Sequence, residues 1–316
     1  MSKKQADGAS DRGAIVPEEA GERSFIVGGV RFTPPALQPA LYLVSTPIGN
    51  LADITLRALE TLAGAELVAC EDTRVTRVLL RRYGIQRPMI AYHEHNEAEA
   101  APRLIAAIEE GRSVALASDA GTPLVSDPGY RLVRLARERG LPVVPIPGPS
   151  AVLAALTVSG LPTDSFLFAG FLPAKAGQRR SRLEAFAAVP ATLVFFESPR
   201  RLGPSLSDMA EVLGDRQAVV ARELTKVFEE VREDTLPRLA RYYQETGAPK
   251  GEVVICIAPP GKAQAAEAQE IDRLLLELAA DMPASKAAGE AARMTGGRKA
   301  DLYQRLIALK ERGDGG

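Results

Sequence analysis

The chain has 316 residues, 46% of them hydrophobic and 25% charged, with a formal net charge of −1. That balance fits a globular protein of about two domains and a small appendage, and it confines any nucleic-acid-binding surface to local patches. No apolar run approaches the roughly 20 residues of a membrane helix, and the charged N-terminus has no apolar signal core, so a cytoplasmic protein with no membrane attachment is expected.

Residues 1–39 are rich in Gly, Ala, Ser and charge and read as a disordered extension, within which Phe25–Val27 and Val30–Phe32 could pair across Gly28-Gly29. From Leu41, apolar runs at 41–45, 67–70, 89–92, 113–118 and 142–146 alternate with helical patterns at 55–64, 73–83, 97–110 and 129–139. Short connections between such elements mean βαβ units and a parallel sheet, which places an α/β domain at 40–150. A second α/β domain at 151–260 begins with an apolar helix. It continues with strands at 166–170, 192–196, 217–222 and 252–258 and helices at 177–187, 202–213 and 235–245. Its longer gaps point to a mixed sheet. The tail, 264–312, is Ala-rich and helical, broken at Thr295-Gly296-Gly297. From Ser285 to Arg312 it carries seven Lys or Arg against three acids, in the pattern of a small helix-turn-helix-like module. Cys70 and Cys256 lie singly in apolar strands, which makes them inert and gives no metal site.

Three small-residue turns follow strands: Ser45–Asn50, Ser118–Pro123 and Pro147–Ala151. Parallel strands deliver their following loops to one edge, where open α/β sheets bind ligands. None of the turns has a phosphate-cradling glycine pattern, which argues against a nucleotide hydrolase and for a polar ligand without phosphates. Asp119 is placed to accept from a ligand's hydroxyls or ammonium, with turn formation as its plain alternative. For Asp127, before Pro128-Gly129, capping the next helix competes with ligand contact.

Several ordered motifs extend this reading: Leu43–Leu51, Cys70–Arg74, His93–Glu97, Ser118–Pro123 with Asp127–Tyr130, Pro147–Ala151, Gly170–Pro173, Phe196–Arg201, Ala221–Lys226 and Lys250–Glu252. Over about 41–260 the chain resembles the tetrapyrrole (corrin/porphyrin) methylase superfamily, the class III methyltransferases, and within it the RNA-modifying branch. The turn at 45–50 departs from the Gly-x-Gly-x-Gly-Asp form of the tetrapyrrole-modifying branch. Arg298–Tyr303 resembles the branch's C-terminal helical module.

The resemblance implies a two-domain homodimer with S-adenosylmethionine folded into the cleft between domains. It also implies methylation of a cytidine 2′-hydroxyl in the decoding region of 16S rRNA, within the 30S subunit. The cofactor set it implies is Pro47, Ser118, Asp119, Gly121, Thr122, Ser150 and Ala151, joined by Phe196, Glu197, Ala221 and Leu224. Transfer to a hydroxyl needs an in-line approach and loss of its proton. Lys226 could accept that proton if burial or Arg222 lowers its pKa, or it could instead bind phosphate. Glu223, in the same motif, and His95 complete the catalytic set. Glu71 and Asp72 could hold Arg74 or Arg222 by ion pairs.

The basic run Lys175, Arg179, Arg180 and Arg182 reads as a mobile loop that tracks an RNA backbone, with Arg200, Arg201, Arg298 and Lys299 adding to it. Two other functions stay open on the same fold: a small-molecule methylase, and a non-catalytic RNA-binding assembly factor.

Overall fold

The computed structural model describes residues 23–313. Two compact units emerge: one holds the chain up to Pro47 together with Leu51–Gly148, the other holds Ile48–Asn50 and the chain from Pro149 onward.

The first unit opens with a hairpin, β1 (Phe25–Val27) and β2 (Val30–Phe32), paired antiparallel across Gly28-Gly29. Five strands follow: β3 (Leu41–Val44), β4 (Leu67–Cys70), β5 (Met89–Ala91), β6 (Val114–Ala117) and β7 (Val143–Ile146). They form one wholly parallel sheet in the order β5-β4-β6-β3-β7. Helices α1 (Leu56–Gly64), α2 (Thr73–Arg82), α3 (Glu97–Glu109) and α4 (Tyr130–Glu138) make the crossovers. Side chains alternate along each strand, so Tyr42 and Val44 pack with Leu59, Leu62 and Leu80 on one face. Leu41 packs with Leu104, Ile105 and Leu132 on the other. Both faces are covered, which is why these strands read as continuous apolar runs.

The second unit begins with α5 (Ala151–Val158) and contains β8 (Phe166–Phe171), α6 (Ala176–Glu184), β9 (Thr192–Glu197), α7 (Leu202–Leu213) and β10 (Gln217–Arg222). β11 (Glu230–Thr235), α8 (Leu236–Thr246) and β12 (Val253–Ile257) complete its α/β part. The sheet is mixed, ordered β11-β10-β12-β9-β8, with only β8 and β9 parallel. Ile48 and α5 cover one face, against Val194, Val219, Val254 and Cys256. Helices α6, α7 and α8 cover the other, against Leu193, Phe195, Val220 and Ile255. Helices α9 (Lys262–Asp281), α10 (Ala284–Thr295) and α11 (Lys299–Gly313) pack around Leu275, Ala287, Ala288, Ala291, Leu302 and Leu306, and Gly296 turns the chain between α10 and α11 at φ 75°. They cluster with the second unit rather than standing apart. The fold is therefore α/β, with a parallel five-stranded sheet, a mixed sheet and C-terminal helices.

Two expectations change. Part of the extension expected to be disordered, residues 1–22, lies outside the described residues. Residues 23–39 are ordered, because Phe25 is only 2% exposed in the core and Ile26 donates its backbone N–H to the Tyr83 carbonyl. Strand β11 has no counterpart in the sequence reading: its run Glu-Val-Arg-Glu-Asp-Thr is mostly charged, as suits an edge strand. Among the described residues no helix is long and apolar enough to cross a membrane.

Candidate active site

In the first unit, β6, β3 and β7 are neighbours, so their turns leave the carboxyl edge side by side. Thr46 and Gly121 exchange backbone hydrogen bonds, Thr46 N to Gly121 O at 2.8 Å and Gly121 N to Thr46 O at 3.0 Å. The Thr46 hydroxyl donates to the Ser118 carbonyl at 2.9 Å, and Ser118 Oγ donates to the Gly121 carbonyl at 2.6 Å. Ser45 Oγ donates to Thr122 Oγ1 at 3.3 Å. The third turn is just as close: a Cβ on Gly148 would stand 2.9 Å from the Ser45 Cβ, so only glycine fits. Ser118 spends its hydroxyl inside the turn, and what Pro47, Ser118, Gly121 and Thr122 offer a ligand is chiefly backbone.

Carboxylates gather at the same edge. Asp119 Oδ1 accepts from the Asp72 backbone N–H at 3.1 Å, and burial raises its pKa. Glu71 is raised as well, by burial first and then by the charges of Asp119 and Glu94. Asp127 is pushed up to about 7 by burial, with Glu71 and Asp119 adding to the effect. Its Oδ2 is buried without a hydrogen-bond partner among the described residues. Asp127 does not cap α4, whose N-cap is Gly129 with no side-chain bond. It lines instead a cavity of about 10 Å³ with Glu71, Tyr92, Ser118 and Pro123, room for about one water. Asp72 pairs with Arg74 at 2.6 Å, and hydrogen bonds from Arg74 hold its carboxyl down at about 2. Glu71 makes no such pair among the described residues, and Arg222 pairs with Glu230 instead.

A stability test follows for Asp127. Its carboxyl holds a proton in the folded chain up to about pH 7, whereas in the unfolded chain it ionises at the ordinary aspartate value of about 4. Folding therefore becomes less favourable as pH rises from about 4 to 7. Asp127→Asn should raise Tm at pH 8, with the gain shrinking to nothing by pH 4. An equal difference at both pH values would refute the buried-carboxyl account.

His95, from the catalytic set, is exposed and lies edge-on to His93 with ring centroids 6.0 Å apart. The His93 backbone N–H donates to Asn96 Oδ1, which fixes this turn after β5. No group of three or more metal-ligating side chains occurs among the described residues.

In the second unit, the β10–β11 connection carries Glu223 and Lys226. Lys226 Nζ lies 2.8 Å from Glu223 Oε1 and 3.1 Å from Glu252 Oε2. Burial alone would pull the ammonium down, but hydrogen bonds to Glu223 and Glu252 outweigh it and hold the group above its ordinary value. Lys226 thus stays charged, and the lowered pKa that a proton acceptor requires is not met. Glu223 is held below its ordinary range, chiefly by the Lys226 hydrogen bond. A Cβ on Gly251, at φ 96°, would fall 2.2 Å from Glu223 Cδ, so glycine is required where the chain passes this pair.

The other residues expected to bind cofactor serve mainly structural ends within this unit. Ser150 Oγ caps α5 by accepting from Leu153 N. Ala221 and Leu224 are 1% and 8% exposed in a core cluster against which Ala151 and Phe196 also pack, so contact from Ala221 or Leu224 would have to come from backbone. The Glu197 carboxylate is fully buried and accepts from Ser198 N, Ser205 Oγ and Arg201.

The expected basic loop is corrected most. Residues 176–184 form α6, and Arg179 is buried, pairing with Asp208 and donating to the Ala174 carbonyl. Arg180 pairs with Asp208 and Glu211, and Arg201 with Glu197 and the Leu172 carbonyl. Arg298 pairs with Asp301 at the surface and stays exposed. Lys175, Arg182, Arg200 and Lys299 remain exposed, Arg182 with its guanidinium 4.6 Å from the Phe186 ring centroid.

Among the described residues, non-glycine positive φ angles occur at Leu124, Ser126, Glu223 and Thr225. All four sit in the two loops that carry Asp127 and Lys226. Strain of this kind persists where the surroundings enforce it, and it gathers at functional sites. The backbone, unlike the motifs, gave no sign of it in the sequence.

Comparison with known proteins agrees with this architecture. Residues 40–240 match the Tetrapyrrole (Corrin/Porphyrin) Methylases, and 265–310 match the RsmI C-terminal HTH domain. The protein named ribosomal RNA small subunit methyltransferase I from Mesorhizobium japonicum is 66% identical over 295 residues, covering 92% of this chain and 100% of its own. The protein of the same name from Pseudomonas aeruginosa is 49% identical over 274 residues, covering 84% and 96%. Among solved structures, diphthine synthase aligns with TM-score 0.56 at 19% identity, covering 72% of this chain and 93% of its own. A cobalt precorrin-4 methyltransferase aligns at 0.53 and 18%, covering 70% and 95%, and both speak for the fold alone. With a parallel sheet whose adjoining turns lack a phosphate loop, a mixed second sheet and these matches, the chain belongs to the tetrapyrrole methylase family and is a methyltransferase.

Proposed function

We propose that the chain methylates the ribose 2′-oxygen of a cytidine in the decoding region of 16S rRNA, with S-adenosylmethionine as donor. We further infer that it acts in the cytoplasm, on the 30S subunit, as a homodimer. The observation that carries this reading is the near full-length similarity to proteins named ribosomal RNA small subunit methyltransferase I. The match of residues 265–310 to the RsmI C-terminal HTH domain, whose last part from Ser285 onward is basic, supports it.

The donor set fits the cofactor. S-adenosylmethionine has ribose hydroxyls, an amino-acid end and no phosphate. The first unit offers backbone-lined turns without a phosphate loop and, in Asp119, a carboxylate able to accept from hydroxyl or ammonium. When bound, the cofactor supplies an electrophilic methyl group on a sulfonium. Pro47, Ser118, Asp119, Gly121 and Thr122 hold and orient it. Lys226, kept cationic by Glu223 and Glu252, attracts negative charge from phosphate or from the reacting oxygen and does not remove the proton. Orientation, not strong base catalysis, is then the main contribution of these residues.

Incubation of unmodified 30S subunits with labelled S-adenosylmethionine should place the label on one cytidine of 16S rRNA. Ribose methylation makes the adjoining phosphodiester resistant to alkali, so the label should survive alkaline hydrolysis in a dinucleotide. Absence of label from both subunits and free rRNA would overturn the reading, and label on a base would overturn its 2′-oxygen part.

A further inference from the structure

The loop from Glu223 to Glu229 joins β10 to β11 and is held unusually firmly for a hairpin connection. Leu224 anchors it in the core. Glu223 N donates to the Glu252 carbonyl, Glu252 N returns a bond to Glu223 Oε1, and Thr225 N donates to Glu229 Oε2 at 2.6 Å. Asn50 N donates to Thr225 Oγ1 at 3.1 Å. Within this bracing Glu223 and Thr225 take φ angles of 52° and 66°, conformations that L-residues adopt at a cost. The strained, braced segment presents two apolar side chains outward: Val227 is 92% exposed and Phe228 72%, the most exposed phenylalanine of the nine in the chain.

Neither side chain contributes to the core, and such exposure has a cost in water unless something covers it. Rigid aromatic rings held clear of a surface suit one task in RNA recognition. Unpaired bases expose π-faces that stack on aromatic side chains, and a preformed platform spares the ordering entropy. The main alternative is a second copy of the chain. A stable protein interface needs about 800 Å² from each partner. A two-residue tip flanked by the charged Lys226 and Glu229 supplies only a small fraction of that.

We propose that Phe228 is a substrate-binding residue that stacks on an unpaired nucleobase of the RNA, with Val227 packing beside it. The inference rests on the RNA reading above and adds to it the element that grips the base.

The chain contains no tryptophan, so Phe228→Trp creates a single emitter at the tip. Titration of this variant with 30S subunits, and with a single-stranded RNA oligonucleotide spanning the decoding region, should quench that emission at saturation. In methyl transfer to subunits, Phe228→Leu and Phe228→Ala should raise KM for the subunit about tenfold, from the value of one base–aromatic stack. Calorimetric affinity for S-adenosylmethionine and Tm should not move, and Phe228→Trp should keep the wild-type KM. Leucine retains the apolar contact but cannot stack, so a Phe228→Leu enzyme with wild-type KM would overturn the proposal. Unquenched tryptophan in a saturated complex would do the same. Sedimentation that shifts to a smaller species in Phe228→Ala, with KM unchanged, would assign the tip to a second copy. If the wild-type protein neither binds nor labels subunits, the RNA reading itself fails, an outcome distinct from failure of the stacking proposal.

Discussion

Arg179→Ala should destabilise the second unit by about 3–5 kcal/mol, the usual cost of stripping one partner from a buried ion pair. The Arg179 and Asp208 side chains are 6% and 8% exposed, with Nη2 to Oδ2 at 2.5 Å and Nε to Oδ2 at 2.6 Å. Truncation leaves the Asp208 carboxylate in the interface between α6 and α7 with only Arg180 beside it. It also leaves the Ala174 carbonyl without the donor it has from Nη1. For a unit of this size the loss corresponds to a fall in Tm on the order of 10 °C, readable by calorimetry or urea unfolding. Arg182→Ala, which removes an exposed guanidinium resting on Phe186, should cost under about 1 kcal/mol. The pair Arg179→Met with Asp208→Leu should recover part of the loss, because an apolar replacement leaves no charge buried. An Arg179→Ala protein with wild-type Tm and weakened RNA binding would return this residue to the RNA surface.

Asp119→Ala should weaken binding of S-adenosylmethionine by about 10- to 100-fold, the range expected on losing a charge-assisted hydrogen bond of about 1.5–3 kcal/mol. Asp119 also accepts from the Asp72 backbone N–H, and Asp72 caps α2, so the alanine variant disturbs two things at once. Asp119→Asn separates them. Its carbonyl oxygen can still accept from Asp72, but its amide presents donors where a ligand hydroxyl or ammonium needs an acceptor. Calorimetry should find both variants weak and the asparagine variant as thermostable as wild type. Wild-type affinity in Asp119→Asn would reduce Asp119 to a support for the turn before α2.

The parallel sheet was legible because its strands are buried on both faces and its turns carry glycine and proline at strand ends. The adjacency of β6, β3 and β7, which sets the three turns side by side, depends on strand order, and a hydrophobic pattern does not encode that order. The roles of the basic residues were the least legible. Arg179 and Arg182 differ by three positions on one helix, yet one faces α7 and the other water. A run of arginines read as a loop gives no way to tell them apart. For Lys226 the sequence left two roles open for a similar reason: Glu252 reaches its ammonium from a distant stretch of chain, and that carboxylate helps decide whether the lysine stays charged. Strain at Leu124, Ser126, Glu223 and Thr225 is also invisible in residue types, since none of them is glycine or asparagine.

The charges that hid β11 have a use in the assembled sheet. An edge strand offers a row of unmet backbone donors and acceptors to any other extended chain. Along β11, Glu230 is held by Arg222 and Arg232, Arg232 lies 3.9 Å over the Tyr242 ring, and Asp234 faces Arg238. An incoming strand would have to desolvate or displace these charges to add itself. The side chains that make this strand hard to recognise thereby act as a guard against aggregation while the newly made chain is folding.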